Sequence, residues 1–296
     1  MKAQTTPGTT PGIRPEIKRR HNARRRRGLL VHAILMTGVA VSLFPFYWMV
    51  VMATNTSHDI TSYPPKLTPG PHLLDNIQRL LDSIDFWGSM LNTVIVAVST
   101  TALVLFLDSL AAFAFAKYEF PGRRVLFGAL MGIFLLPLQL AIIPQYVIMA
   151  ELGWLGSLHA LVIPAAANAF GIFWMRQYMT SAVPTELLDA ARMDGCGFFR
   201  QYLYVALPCA RPGLAFLAIY TFVAAWNDYV WPLVALVNPD KLTLQVALAQ
   251  LNVNFGRTDY AMVMAGVLLA VVPLVLVFAL FARQFIADAA KGALRD

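Results

Sequence analysis

The sequence predicts an all-α integral membrane protein with six transmembrane helices and a short cytoplasmic helix between the fourth and fifth. Of its 296 residues, 58% are hydrophobic and 13% charged, whereas a soluble domain averages about 45–50% apolar and about 25% charged residues. Six apolar stretches are each long enough to cross the roughly 30 Å hydrocarbon core of a bilayer. Basic residues are concentrated in alternate connections between these stretches. This pattern excludes a soluble fold and, for the bulk of the chain, intrinsic disorder.

Residues 1–28 form a basic segment that we predict to be a disordered cytoplasmic tail. The segment is rich in Pro, Thr and Gly and then carries nine Lys or Arg against one acid, Glu16. The run Arg24–Arg27 is typical of a nucleic-acid or anionic-lipid patch. An apolar span follows at once, however, and this favours a topology signal. We therefore expect no nucleic-acid partner.

The six apolar stretches define a membrane domain over residues 29–283, and residues 284–296 form a second cytoplasmic tail. The first stretch, 29–53, has about 25 residues without a charge, more than the roughly 7–15 of a signal-peptide core, and is read as a retained span. The other five are 91–116, 125–149, 158–175, 212–236 and 260–282.

The distribution of Lys and Arg predicts the orientation. The two tails and the connections 117–124 and 176–211 hold 19 basic residues, whereas the alternate connections hold 4. The positive-inside rule then places both termini in the cytoplasm of a multi-pass protein of the cell membrane. Cys196 and Cys209 show neither a disulfide framework nor zinc-ligand spacing, so no metal site is expected.

The connection over about 176–211 carries the most informative pattern. Pro184 suits the first position of a helix, where its missing N–H costs nothing. Glu186 then lies in the first turn, near the positive end of the helix dipole, and Gly195 suits the left-handed residue beyond the helix end. We predict a helix of about 11 residues, which places on one face Leu187, Leu188 and Ala191. Its acidic polar face suits a protein partner better than an anionic lipid surface.

This loop resembles the signature of ATP-binding-cassette importer permeases: an acid, Ala, Ala, three residues, Gly, nine residues, an aliphatic residue, any residue, Leu and Pro. Here it reads Asp189-Ala190-Ala191, then Gly195, then Val205-Ala206-Leu207-Pro208. Both spacings are kept, with Asp189 for the usual Glu and Val205 for the usual Ile. The resemblance covers most of residues 30–295 and is to the carbohydrate-uptake subgroup, of the maltose-permease type. Its matching stretches include Tyr63-Pro64-Pro65, Trp226-Asn227-Asp228 and Gly292-Ala293-Leu294-Arg295.

The resemblance implies a permease subunit of a sugar importer in the inner membrane, and not an enzyme. No Walker A pattern occurs, so ATP and Mg²⁺ are expected on a separate ATPase and no cofactor on this chain. The implied partners are a second permease subunit in a heterodimer, two ATPase subunits and an extracytoplasmic solute-binding protein, besides membrane lipid. The predicted helix would be the coupling helix, which receives the movement of the ATPase.

The residues expected at this coupling contact are Glu186, Asp189, Ala190, Ala191, Asp194, Gly195, Phe198, Phe199, Leu207 and Pro208. The acids would pair with basic residues of the ATPase, and the two phenylalanines would fill an apolar notch. For Gly195, Leu207 and Pro208, the alternative is that they only shape the loop.

Polar and aromatic residues within the spans are candidates for the substrate path, because polar groups in hydrocarbon are costly and usually functional. They are Asp108, Gln139, Gln145, Asn168, Trp226, Asn227, Asp228, Tyr229 and Trp231. Placing an ionised Asp108 at the middle of the membrane costs about 2.5–3.5 kcal/mol of insertion free energy. The alternative to a substrate-path role for Asp108 is therefore a hydrogen bond between packed helices or a protonated acid. The aromatic residues could stack on a sugar ring. The alternative is that they belong to the belt of Trp and Tyr side chains found at the membrane–water interface.

Two other classes of function compete with an importer permease. A proton-coupled secondary transporter would use Asp108 and Asp228, but internal repeats, which many such carriers have, are not evident. A membrane-embedded enzyme is disfavoured because neither an HExxH nor a Gly-x-Ser-x-Gly pattern occurs. The spaced loop signature favours the importer.

Overall fold

The computed structural model describes residues 15–251 and 258–292, and their side chains apart from 15–27, 29, 138 and 280–292. The elements of these residues are helices, with no strand among them. In chain order the α-helices are α1 Pro15–Thr54, α2 Ser57–Thr61, α3 Leu73–Ser83, α4 Phe86–Lys117, α5 Arg123–Phe134, α6 Ile142–Glu151, α7 His159–Ala165, α8 Ala169–Ala182, α9 Thr185–Met193, α10 Phe198–Gln201, α11 Leu207–Cys209, α12 Arg211–Trp226, α13 Val230–Ala235, α14 Leu244–Gln250 and α15 Tyr260–Gly292.

Three of these helices contain unbroken stretches long and apolar enough to cross a membrane. These are Leu30–Thr54, Phe86–Lys117 and Tyr260–Ala279. Two further pairs are bent, α5 with Gln139–Glu151 by 94° and Phe198–Cys209 with α12 by 83°. The described residues thus hold three spans, or five if each bent pair crosses once. The all-helical membrane fold is confirmed, while the count of six spans stays a prediction.

The predicted fourth span, 158–175, is divided in the structure. It is split between α7 and α8, with residues 166–168 outside both helices. The side chain of Asn168 accepts a hydrogen bond from the Gly171 amide (2.7 Å) and so starts α8 as a new helix. Hydropathy alone does not reveal this break, because the residues on both sides of it are apolar.

Both predicted tails differ from the structure where it describes them. Residues 15–28 form the first turns of α1, and α15 runs to Gly292. Proline is tolerated in the first turn of a helix, as Pro15 is here. Lys, Arg and Ala, which make up eight of the fourteen residues 15–28 and four of the nine residues 284–292, are strong helix formers. Residues 1–14 and 293–296 of the predicted tails lie outside the described residues.

Helix α4 lies at the centre of the fold and packs against both α8 and α12, which also contact each other. One buried cluster joins these three helices to the loop that follows α8. Its members include Val104, Phe113, Met175, Met179, Leu188, Tyr202 and Leu217. A second cluster, towards the other end of α4, includes Leu80, Phe86, Ala97, Trp226, Leu244 and Met262. The loop after α8 is therefore anchored in the same core as the spans.

Hydrogen bonds at the start of α15 tie the connection between α1 and α4 to the last span. The Asp259 carboxylate accepts from the Ser57 hydroxyl (2.5 Å) and the Met262 amide (3.2 Å), and it pairs with Arg79. Burial raises the pKa of Asp259, but the hydrogen bonds from Ser57 and Met262 and the charge of Arg79 outweigh it and hold the pKa below its usual range. This network therefore contains a carboxylate that stays ionised at neutral pH.

Candidate functional site

The helix predicted in the loop after α8 is α9, which has nine residues, Thr185–Met193. Pro184 precedes it with an extended backbone (φ −64°, ψ 137°) and is the residue before the helix, not its first helical residue. Glu186 lies in the first turn, as expected. The helix and its acidic start are thus confirmed, with the start one residue later than predicted.

Gly195 ends this helix in the left-handed conformation that the sequence predicts. Its φ is +76°. The Cys196 amide donates to the Ala191 carbonyl (2.9 Å), and the Gly195 amide donates to the Arg192 carbonyl (3.0 Å). These two bonds form a Schellman motif. A Cβ added to Gly195 would meet no atom within 4 Å, so backbone conformation alone demands glycine here.

One face of α9 packs on the protein and the other is open. Leu188 and Ala191 are buried, whereas Leu187, predicted on the same face, is 49% exposed. A step of one residue turns the helix by about 100°, which carries Leu187 to the edge of the buried stripe. The exposed residues of this segment are Glu186, Leu187, Asp189, Ala190, Arg192, Met193, Asp194 and Gly195. This exposed face of α9 combines acidic with apolar side chains.

Asp189, the acid of the loop signature, has a partner on its own helix. Its Oδ1 lies 2.8 Å from Nη1 of Arg192, and the Arg192 guanidinium lies 5.5 Å from the centre of the Tyr118 ring. Both charged side chains are about half exposed. A surface pair of this kind contributes about 1 kcal/mol or less, so a basic group on another protein can replace Arg192 at little cost.

The two phenylalanines after the turn differ in their surroundings. Phe198 packs on Phe113 and Tyr118, with ring centres 5.3 and 5.0 Å apart, and is half-buried inside this chain. Phe199 is 62% exposed. Of the pair expected to fill an apolar notch on a partner, only Phe199 presents its ring outward. Phe198 fastens the loop to the end of α4.

Hydrogen bonds complete this attachment of the loop to α4. Gln201 donates to the Cys196 carbonyl (2.6 Å) and accepts from the Tyr118 hydroxyl (2.8 Å). The hydroxyls of Tyr202 and Ser109 are 2.7 Å apart in a buried position. Sequence reasoning missed these residues, because the Tyr118–Gln201 and Ser109–Tyr202 bonds join positions more than 80 apart in the chain and no local pattern marks them.

Leu207 and Pro208 lie where the loop turns into α12. Leu207 is half-buried against the core, and Pro208 is exposed. The preceding residues, Tyr202–Ala206, form a π-helical turn. Proline has no N–H and clashes with the carbonyl four residues earlier, here that of Tyr204, and the wider turn accommodates this. Leu207 thus helps to shape the loop, while a role of either residue at the coupling contact stays a prediction.

Of the substrate-path candidates, Asp108 and Asn168 are brought together at the start of α8. Asp108 is fully buried on α4, and its Oδ1 accepts from the Asn168 amide (3.2 Å). Its Oδ2 faces Gly171, where an added Cβ would stand only 2.0 Å away. In this conformation Asp108 therefore makes a hydrogen bond between packed helices, which is the alternative to a role in the substrate path.

The aromatic substrate-path candidates differ in exposure, with Trp226 and Trp231 packed inside the chain and Tyr229 exposed. Trp226 is buried and stacks on Phe222, with ring centres 5.6 Å apart, and Trp231 donates its indole N–H to the Ala160 carbonyl (2.8 Å). Exposed side chains at the break between α12 and α13 are those of Asn227, Asp228 and Tyr229. Gln139 is exposed and Gln145 half-buried on the other bent helix pair. Among the substrate-path candidates, Asn227, Asp228 and Tyr229 are therefore the adjacent residues whose side chains are exposed in this conformation.

The described residues thus combine apolar spans, bent apolar helices and a helix turn fastened to α4, an arrangement typical of a membrane transport subunit. Residues 108–288 match the family described as the inner membrane component of binding-protein-dependent transport systems. Since this match covers more than half of the chain, the protein belongs to that family.

Known proteins of similar sequence and fold agree. The chain is 33% identical over 262 residues to the sn-glycerol-3-phosphate transport system permease protein UgpE of Escherichia coli O1:K1, covering 86% of this chain and 93% of the relative. UgpE of Salmonella typhi is 34% identical over 270 residues, covering 88% and 96%. A bacterial ABC transporter involved in import of the acidic polysaccharide alginate superposes with a TM-score of 0.77 at 25% identity, over 93% of this chain and all of the other.

A second alginate transporter structure, in complex with its pentasaccharide-bound periplasmic protein, shows the same fold with a TM-score of 0.63 at 14% identity. The chain is thus an inner membrane component of a binding-protein-dependent transport system. The secondary-transporter alternative is not favoured.

Proposed function

We propose that this permease passes a hydroxyl-rich solute, a sugar or sugar derivative, across the membrane, and that α9 is its coupling helix. The observation that carries the proposal is the α9 turn itself. Its outer face is acidic and apolar, while its inner face and Phe198 are packed onto α4. A push on α9 is therefore transmitted to the central span as a rigid-body movement.

The chemistry of the exposed face defines what α9 contacts. Met193 is 88% exposed and Phe199 62% exposed, beside the carboxylates of Glu186, Asp189 and Asp194. Exposed apolar side chains that are rimmed by polar ones are typical of a protein–protein contact. An apolar cleft rimmed by basic residues on the ATPase subunit complements this surface. ATP and Mg²⁺ would then bind to the ATPase and not to this chain.

The solute class is proposed from two supports. The relatives carry names that specify glycerol 3-phosphate and alginate, both of them hydroxylated and acidic. The exposed residues at the break between α12 and α13, Asn227, Asp228 and Tyr229, carry an amide, a carboxylate and a phenol. Asn227 also donates to the Val223 carbonyl (2.8 Å), and the Asp228 carboxylate accepts from backbone amides at the start of α13. Such groups orient hydroxylated solutes by hydrogen bonds. We therefore propose that Asn227, Asp228 and Tyr229 contact the solute in this conformation.

The full topology is also part of the proposal. Six crossings with both termini in the cytoplasm require that α5 with α6, α7 with α8, and α12 with α13 each cross once. The excess of Lys and Arg in the tails and in residues 117–124 and 176–211 supports this orientation. It places α9 on the side where the ATPase is found.

The proposal is tested by reconstituting the chain with its second permease, its ATPase and its binding protein in liposomes. Uptake of labelled glycerol 3-phosphate and of maltose is measured with ATP inside, with and without a protonophore. We expect uptake of one solute that needs ATP and survives collapse of the proton gradient. Uptake that follows the gradient without ATP would contradict the proposal and restore the secondary-transporter reading.

A further inference from the structure

A basic cavity lies where α4, α5 and α8 meet, apart from both the α9 turn and the break between α12 and α13. Its volume is about 340 Å³. It is lined by Glu119, Arg123, Arg124, Phe127, Gly128 and Arg176. Three guanidinium groups face one carboxylate, so the lining carries a net positive charge. Since a water molecule takes about 30 Å³ of liquid, the cavity has room for a group several times that size.

The arginines are not neutralised by the part of the chain that the structure describes. Arg123 pairs with Glu119, whereas neither Arg124 nor Arg176 has a carboxylate within ion-pair distance among the described side chains. The Arg176 guanidinium lies over the Phe127 ring, 4.2 Å from its centre, and its buried Nε has no hydrogen-bond partner there. A buried donor of a charged group without an acceptor is costly. An anion beside the rest of the Arg176 guanidinium would offset part of that cost by its charge.

The start of α5 adds to the positive potential. The helix begins at Arg123, after Gly122 in the left-handed conformation (φ +81°), with no capping side chain and no acid in its first turn. The amide groups of a first helical turn lack partners within the helix, and together with the helix dipole they attract anions. Arginine in this turn is unfavourable for the helix alone, which indicates that its charge serves another contact.

The surface beside the cavity is apolar. No residue of α5 is buried, and Val125 and Leu126 next to the basic turn are 75% and 55% exposed. In a bilayer these side chains contact acyl chains. A phosphate that arrives with acyl chains attached therefore fits both the cavity and the face beside it, whereas a free phosphate fits only the cavity.

We propose that this cavity binds the phosphate headgroup of an anionic phospholipid, with the acyl chains lying along α5. Arg124, Arg176 and the first turn of α5 hold the phosphate oxygens, and Phe127 keeps the Arg176 guanidinium in place. Basic pockets between membrane helices recognise anionic lipids in this way. The lipid would brace α5 against α8, the helix that leads into the α9 turn.

The test uses the assembled importer in nanodiscs of phosphatidylcholine, titrated with phosphatidylglycerol. Bound lipid is counted by native mass spectrometry, and the melting temperature is followed. The variant Arg124→Gln/Arg176→Gln is compared with Arg211→Gln, which removes an exposed arginine of the same predicted side, outside the cavity. We expect the double variant to bind phosphatidylglycerol about 25-fold more weakly, since each guanidinium that contacts the phosphate directly contributes a factor of about five. Arg211→Gln should bind as the wild type does.

Other outcomes overturn the proposal. An equal loss in Arg211→Gln would mean that general surface charge, and no site, attracts the lipid. Displacement of phosphatidylglycerol by inorganic phosphate would assign the cavity to a soluble anion. Loss of the second permease from an inserted double variant would show that these arginines pair with that subunit. If the double variant does not fold, the exposed Arg124→Gln carries the test alone, with a loss of about five-fold expected.

Discussion

Gly195 is the position where a single substitution tests the coupling role of α9. Serine at this residue would have to adopt φ near +76°, which costs a side-chain-bearing residue about 1–2 kcal/mol. No atom lies within 4 Å of the added Cβ, so the cost falls entirely on the backbone of the turn. It shifts the equilibrium between the Schellman turn and other arrangements by about 5- to 30-fold. We expect ATP-driven uptake to fall by up to this factor, while the ATPase still hydrolyses ATP.

Gly197 provides the matched control two residues later. It begins α10 with φ −72° and ψ 176°, and its added Cβ also meets nothing within 4 Å. Serine is a favoured residue before a helix, so Gly197→Ser should leave the turn intact. Uptake and ATP hydrolysis are measured for both variants in liposomes, with membrane insertion checked by detergent extraction. Normal coupled uptake in Gly195→Ser, or an equal loss in Gly197→Ser, would refute the reasoning.

Two further predictions concern the packing around the spans. Gly171→Ala places its Cβ against Asp108 and should lower the free energy of unfolding by about 1–3 kcal/mol; adding Asp108→Ala should restore part of it, whereas Gly132→Ala, in open space, should not produce the loss. Folding lowers the pKa of Asp259 below the pKa of about 3.9 that this side chain has in the unfolded chain. Its stabilising effect is therefore fully present above about pH 3.9 and is lost as the pH falls through the pKa of the folded state. Melting temperatures against pH should therefore fall less steeply below pH 4 in Asp259→Asn, and identical slopes would contradict this.

Some features followed from the sequence because their causes are local. The left-handed turn at Gly195 depends on the conformation of one residue, and the acidic start of α9 depends on a dipole that any helix of that length has. The membrane character depends on composition. These features were predicted from the residues themselves, and the structure bears them out.

Other features were decided only by packing between distant parts of the chain. The sequence assigns Phe198 and Phe199 the same role, but the rings of Phe113 and Tyr118 take up the first and leave the second exposed. Asp108 and Trp226 are typical substrate-path residues by type. In this conformation, however, the Asp108 carboxylate accepts from the Asn168 amide at the start of α8 and Trp226 lies in the core, so their role in the substrate path stays a prediction.

The basic cavity shows the same division. Arg123 and Arg124 read as topology signals, and Arg176 as part of a different connection. Their common site exists only because α5 packs against α8 and brings Phe127 beneath the Arg176 guanidinium. Hydropathy and local spacing report what each segment does by itself. Which side chains meet depends on helix contacts over long separations, and no local pattern in the chain encodes those.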